Sequence, residues 1–185
     1  MKRLIPALVL LLPLTAVAAE FNVVQADKSR VAFVSKQMGV PVEGGFKKFV
    51  AQIALDPAKP EAGRAQIDID LASIDAGSAE ANDEVKGKAW FNTSMYPTAK
   101  FVASGVKALG NGRFEAKGQM TIKGKTRDVV APFTYKTEGA NVVIEGAIPV
   151  LRLQYGVGDG LWSDTATVAD EVQVKFRFTL AAGKK

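Results

Sequence analysis

The stretch Gly118–Phe133, GQMTIKGKTRDVVAPF, restricts the fold more than any other part of this chain. Met120 and Ile122 stand two apart, with Gln119, Thr121 and Lys123 around and between them. That alternation gives a strand with one apolar face. Gly124-Lys125 interrupts it, and Val129, Ala131 and Phe133 resume it. The pattern predicts a β-hairpin turning near Lys123–Thr126, with Gly124 in a backbone conformation that other residues avoid.

The same signature recurs along the chain. Glu20–Ala26 reads as a short opening strand, and Ser29–Gln37 follows with Val31 and Phe33 on one face. Val40–Leu55 reads as one longer strand carrying Val42, Phe46, Phe49 and Ile53. Its alternation slips at Gly44-Gly45, which predicts a bulge or bend there. Asp56–Gly63, with Pro57 and Pro60, is a turn. Arg64–Leu71 then sets Ile67, Ile69 and Leu71 against Gln66, Asp68 and Asp70. Thr98–Leu109 carries Phe101 and Ala103 on one face and ends at the hairpin signal Asn111-Gly112. Glu138-Gly139-Ala140 turns into Asn141–Val150, and Leu151–Asp164 is a Gly-rich loop. Val168–Leu180 places Val172, Val174, Phe176, Phe178 and Leu180 on one face, the cleanest alternation of all.

Residues 73–97 break the series. Ala79–Lys88 is rich in Ala, Glu and Lys and predicts a short helical insertion, about 73–96, that ends in Trp90, Phe91, Met95 and Tyr96. Ordered insertions of this length often cap a site. Eight to nine strands joined by hairpins predict an all-β fold, an extended antiparallel up-and-down barrel of about eight strands. Closure removes the exposed edges a flat sheet would carry. A barrel of that size is either just filled by its side chains or holds one small ligand.

Residues 1–19, MKRLIPALVLLLPLTAVAA, join a basic start, a short apolar centre and a small-residue cleavage signal. They read as a signal peptide cut after Ala18 or Ala19, leaving 20–185 as a single exported domain. The apolar run is too short to span a membrane. The chain has 24 basic and 19 acidic residues, a net charge of +5 that drops to +3 without Lys2 and Arg3. The cations are scattered, which gives nucleic-acid binding no support. There is no cysteine and no histidine. Disulfides, thiolate chemistry, the commonest general base and most zinc and haem ligation are thereby excluded.

Motifs for chemistry fail one by one. Gly124-Lys125-Thr126 lacks the upstream glycine of a phosphate-binding loop, since position 119 is Gln and a strand follows. Gly156-Val157-Gly158-Asp159-Gly160 opens no helix. Asp159, Asp164 and Asp170 do not have the spacing of a calcium loop. Asp68 and Asp70 alternate outward as a solvated face, and Asp75, Glu80, Asp83 and Glu84 suit helix-end capping or orientation of a polar head. The serines have no histidine partner, so the chain is read as a binding protein and not an enzyme. Were it a hydrolase or isomerase, Asp83 or Glu84 would be the residues to test.

What remains is apolar stock. Trp90-Phe91 and Tyr155…Trp162 lie in the two irregular segments, where aromatics can close the mouth of a barrel. The expected lining is Val31, Phe33, Phe46, Phe49, Ile67, Ile69, Phe101, Met120, Ile122, Phe133, Val174 and Phe176, with Trp90, Phe91 and Trp162 near the mouth. Such an interior suits a long isoprenoid chain, because each buried methylene contributes roughly 0.8 kcal/mol.

Several motifs together resemble the YceI-like family. They are Asp27-x-Ser29-x-Val31-x-Phe33, Met38-Gly39, Gly45-Phe46-x-x-Phe49, Ile67-x-Ile69-x-x-Ala72-Ser73-Ile74 and Phe91…Tyr96-Pro97-x-x-x-Phe101-x-Ala103-Ser104. Gly118-x-Met120-Thr121-Ile122-x-Gly124-x-Thr126, Tyr155-Gly156-Val157-Gly158 and the strand Glu171–Phe178 continue the series. The resemblance implies a lipocalin-like barrel in the bacterial periplasm that holds a polyisoprenoid or prenyl-quinone lipid, with no cofactor and no catalytic set. A transient membrane-surface contact and a homodimer are compatible with it. A barrel with a filled core, acting as a stress-related interaction module without a lipid, is the alternative. This chain departs from the family at Lys28 and Gln37, where members often carry His.

Overall fold

The computed structural model describes residues 21–56 and 58–183. The expected export signal and its cleavage point, and Pro57 of the expected turn, lie outside them. Eleven strands and one α-helix follow in order: β1 (Phe21–Val24), β2 (Arg30–Gln37), β3 (Val40–Phe46), β4 (Phe49–Ala54), β5 (Arg64–Asp70), β6 (Ile74–Asp75), α1 (Ala79–Lys86), β7 (Thr98–Gly110), β8 (Arg113–Ile122), β9 (Lys125–Glu138), β10 (Asn141–Leu151) and β11 (Glu171–Ala182). They form one sheet in the order β4-β5-β7-β8-β9-β10-β11-β2-β3-β6, with β1 added beside β11. The pairs are antiparallel throughout. The hairpin turn falls where the alternation places it, at Lys123 (φ 49°) and Gly124 (φ 73°). Two successive positive φ angles match the right-handed twist of the flanking strands.

The expected single strand Val40–Leu55 is two strands. The break lies at Lys47-Lys48 and not at Gly44-Gly45, which stay in register opposite Phe33 and Ala32. β3 pairs with β2, while β4 pairs with β5 at the other end of the sheet order. The chain therefore crosses between the two sheet edges in two residues and curls the sheet into a barrel. Ser73 fixes the crossing: its carbonyl accepts from the Lys47 amide (3.1 Å) and its Oγ from the Lys48 amide (2.9 Å). Gly44 serves close approach instead of a bulge. A Cβ there would strike the Phe33 ring and the Asp75 carbonyl, 2.6 Å away. The irregularities of register occur in β7, between Ala103 and Gly105 and between Ala108 and Gly110, and in β1, between Phe21 and Val23. At the other seam, the Leu55 amide reaches the Phe21 carbonyl at 3.5 Å, tying β1 to the end of β4.

The strand count exceeds the expected eight or nine because the long strand divides and because β6 is only two residues. The Gly-rich segment is also more ordered than its composition implies. It forms two 3₁₀ turns, Arg152–Tyr155 and Gly160–Ser163. Val168 is not in the last strand; it makes a lone bridge to Gln37. Inward side chains pack tightest along β10 and β11, where Val142 and Leu180 are fully buried. Phe114 stacks on Phe133 with centroids 5.3 Å apart.

Candidate functional site

The inward face does not close on itself everywhere. A cavity of about 520 Å³ lies under α1 and the loop after β10, and a smaller one of about 90 Å³ lies toward the Leu55–Arg64 end of the strands. Ile69, Phe101, Met120 and Val174 line both and form the wall between them. The larger volume falls within the range that buries a drug-sized ligand.

The expected lining shares one inward face, and position along each strand sorts it between the two cavities. Phe33, Phe46 and Ile122 face the large cavity, and Phe91 and the indoles of Trp90 and Trp162 roof it. Val31, Ile67, Phe133 and Phe176 face the small one. Phe49 lines neither. Its ring meets Phe178 edge-on, with centroids 5.8 Å apart, so its inward position is filled by a neighbour. Gln37, at one of the departures from the family pattern, lines the large cavity. Lys28 contributes only its carbonyl, which accepts from the Thr179 hydroxyl at 3.0 Å.

The mouth is built around a buried arginine that sequence reasoning passed over. Arg152 is 3% exposed. Its Nε donates to Ala169 O (3.0 Å), Nη1 to Val157 O (2.9 Å) and Gly158 O (2.6 Å), and Nη2 to Trp162 O (2.6 Å) and Val168 O (2.7 Å). All five donors of a guanidinium are thus spent on carbonyls. Five peptide dipoles solvate a charge that no carboxylate touches. Burial lowers its pKa, and the charge of Asp170 opposes that shift. The guanidinium also lies 5.6 Å from the centroid of Trp90, over the ring. No sequence signal pointed to this role. A lone arginine at the start of a Gly-rich stretch reads as a surface residue, and the carbonyls it gathers are assembled only by the folded loop.

Trp90 and Trp162 stand with centroids 5.5 Å apart. Both indole N–H groups donate to Glu84 Oε1, at 3.2 and 2.9 Å. Glu84 is therefore neither a cap nor a buried acid; it joins α1 to the loop across the mouth. Asp83 pairs instead with Lys86 at 3.7 Å. Asp75 pairs with Lys47 at 2.9 Å, and the helix cap is Ser78, whose side chain accepts from the Ala81 amide. Lys123 of the β8–β9 turn braces the same loop through Gly156 O at 2.5 Å. Among the described residues no group of acids is placed to hold a metal ion, and no helix is long and apolar enough to cross a membrane.

Residues 23–180 fit the model of the YceI-like domain. This chain belongs to the YceI-like family. BcnA of Burkholderia cenocepacia is 47% identical with a TM-score of 0.82, over 84% of this chain and 98% of that one. A UPF0312 protein of Azotobacter vinelandii is 32% identical over 96 residues, 52% of this chain and 50% of the relative. The chain thus matches about half the length of that relative. A polyisoprenoid binding domain from Saccharophagus degradans, implicated in plant cell wall breakdown, shares the fold at 16% identity, with a TM-score of 0.66 over 90% of this chain and 99% of that one.

Proposed function

We propose that this YceI-like protein is a periplasmic carrier or buffer for a lipid with a polyisoprenoid tail, such as a prenyl quinone, held in the barrel by burial alone. The observation that carries the reading is the cavity of about 520 Å³, whose walls are supplied mainly by apolar side chains from strands and aromatic roof. The structural likeness to a polyisoprenoid binding domain supports it. A filled-core interaction module would need no such hollow. Export rests on residues 1–19 alone. The absence of histidine and cysteine from the whole chain favours binding over catalysis.

Extraction of protein purified from its native membrane-containing host, followed by lipid mass spectrometry, tests the reading. A prenyl lipid recovered in stoichiometric amount is expected. Repeated recovery of none, with no uptake of added prenyl quinone, refutes it.

A further inference from the structure

The polar groups at the cavity mouth distinguish between classes of lipid head. Besides Ser35, Gln37, Tyr155 and the two indoles, the polar side chains lining the large cavity are the charged Glu80, Glu84, Lys100 and Arg152. Neither cation offers free donors inside the cavity. Lys100 is the exposed residue between the inward Ala99 and Phe101, and its Nζ pairs there with Asp68 Oδ1 at 2.9 Å. Arg152 has every N–H on a carbonyl. A phosphate or diphosphate needs free N–H donors arranged around it, and here it would meet two carboxylates instead. Glu80 is held ionised, because its own amide and the Ser78 hydroxyl lower its pKa. Glu84 takes both indole N–H groups on Oε1, and its Oε2 accepts no hydrogen bond among the described residues.

We propose, resting on the isoprenoid reading above, that the cavity takes lipids with an uncharged hydroxyl-bearing head, such as a prenyl alcohol or the reduced form of a prenyl quinone, and rejects prenyl phosphates. The head lies under the indole pair. Its O–H donates to Glu84 Oε2, while the tail runs down past Phe101 and Met120. Glu80 and Glu84 act chiefly by repelling an anionic head, so discrimination comes from a like-charge contact as well as from the hydrogen bond gained.

The test uses geranylgeraniol and geranylgeranyl diphosphate, which share one tail. Binding to the purified protein is read from the emission of Trp90 and Trp162, its only two tryptophans, both at the mouth. The alcohol is expected to bind about tenfold or more tightly than the diphosphate, and Glu80→Gln/Glu84→Gln to narrow that gap to about threefold or less. An alcohol also partitions from water more readily than a diphosphate, so the variant decides whether the carboxylates are responsible. A gap unchanged in the variant overturns the assignment to Glu80 and Glu84. Diphosphate binding as tight as the alcohol overturns the head-group inference and leaves tail binding standing. Failure of both probes overturns the isoprenoid reading itself. Added salt gives a second measurement that needs no variant: it is expected to strengthen diphosphate binding by screening, and a weakening would contradict the proposal.

Discussion

Arg152→Ala is the substitution whose outcome the structure specifies most closely. Five carbonyls, from Val157, Gly158, Trp162, Val168 and Ala169, lose their donor together. A buried acceptor left unpaired costs about 1–3 kcal/mol. Water can enter the void and serve some of the five, and the variant no longer carries the desolvation cost of a buried cation. If two carbonyls stay dry, the net loss is about 3 kcal/mol, a large part of the 5–15 kcal/mol typical of a domain. The loss is expected in the segment from Arg152 to Asp170 before the sheet, because its turns depend on this one side chain. Urea unfolding followed by tryptophan emission should therefore show an early transition that strand circular dichroism does not share. Arg152→Lys keeps the charge but has three donors and no planar fork, and should recover less than half of the loss. A midpoint shift worth less than about 1 kcal/mol, with both probes still coincident, would refute the view that Arg152 organises the mouth.

Met120→Ala removes part of the wall between the two cavities, so it should cost about 2–5 kcal/mol by thermal or urea unfolding while admitting a longer tail in lipid-uptake assays. Gly146→Ala should destabilise the β9–β10 pair, since a methyl there meets the Phe176 ring 2.7 Å away and the Pro132 carbonyl; a midpoint equal to wild type in chemical denaturation would contradict that. Acid should weaken the fold through Glu145. Hydrogen bonds from Arg177 and Lys136 hold its carboxyl below the ordinary 4.5, so its contribution is present above that value and lost as pH falls through the lowered one. Glu145→Gln should flatten the stability profile below about pH 4.5 in urea titrations at several pH values, by a small amount because the pair is partly exposed.

The hairpins were legible because period-2 alternation and turn chemistry agree, as at Met120, Ile122 and the Lys123-Gly124 turn. The placement of Trp90 and Trp162 at a mouth was legible for a different reason. Large aromatics in irregular segments must find cover, and the barrel interior is the available cover. The bend between β3 and β4 was misplaced because glycine signals both kinks and close approaches. At Gly44 it is the approach of Phe33 and β6 that excludes a side chain, whereas the bend at Lys47-Lys48 is set by Ser73, a residue 25 positions away. Phe49 alternates inward like its neighbours, yet Phe178 fills the space before it. Alternation tells which face a side chain takes and not whether a void lies beyond it. Arg152 and the double use of Glu84 were illegible because their partners belong to distant turns brought together by folding.

In the proposed function, burial of the tail, and not recognition of a head, supplies most of the affinity. The most direct measurement is a titration of prenyl quinones of increasing tail length into the purified protein, followed by Trp90 and Trp162 emission. Affinity is expected to rise steeply with each added prenyl unit, at roughly 0.8 kcal/mol per buried methylene, and to level once the cavity is full. Affinity that does not change with tail length would contradict it.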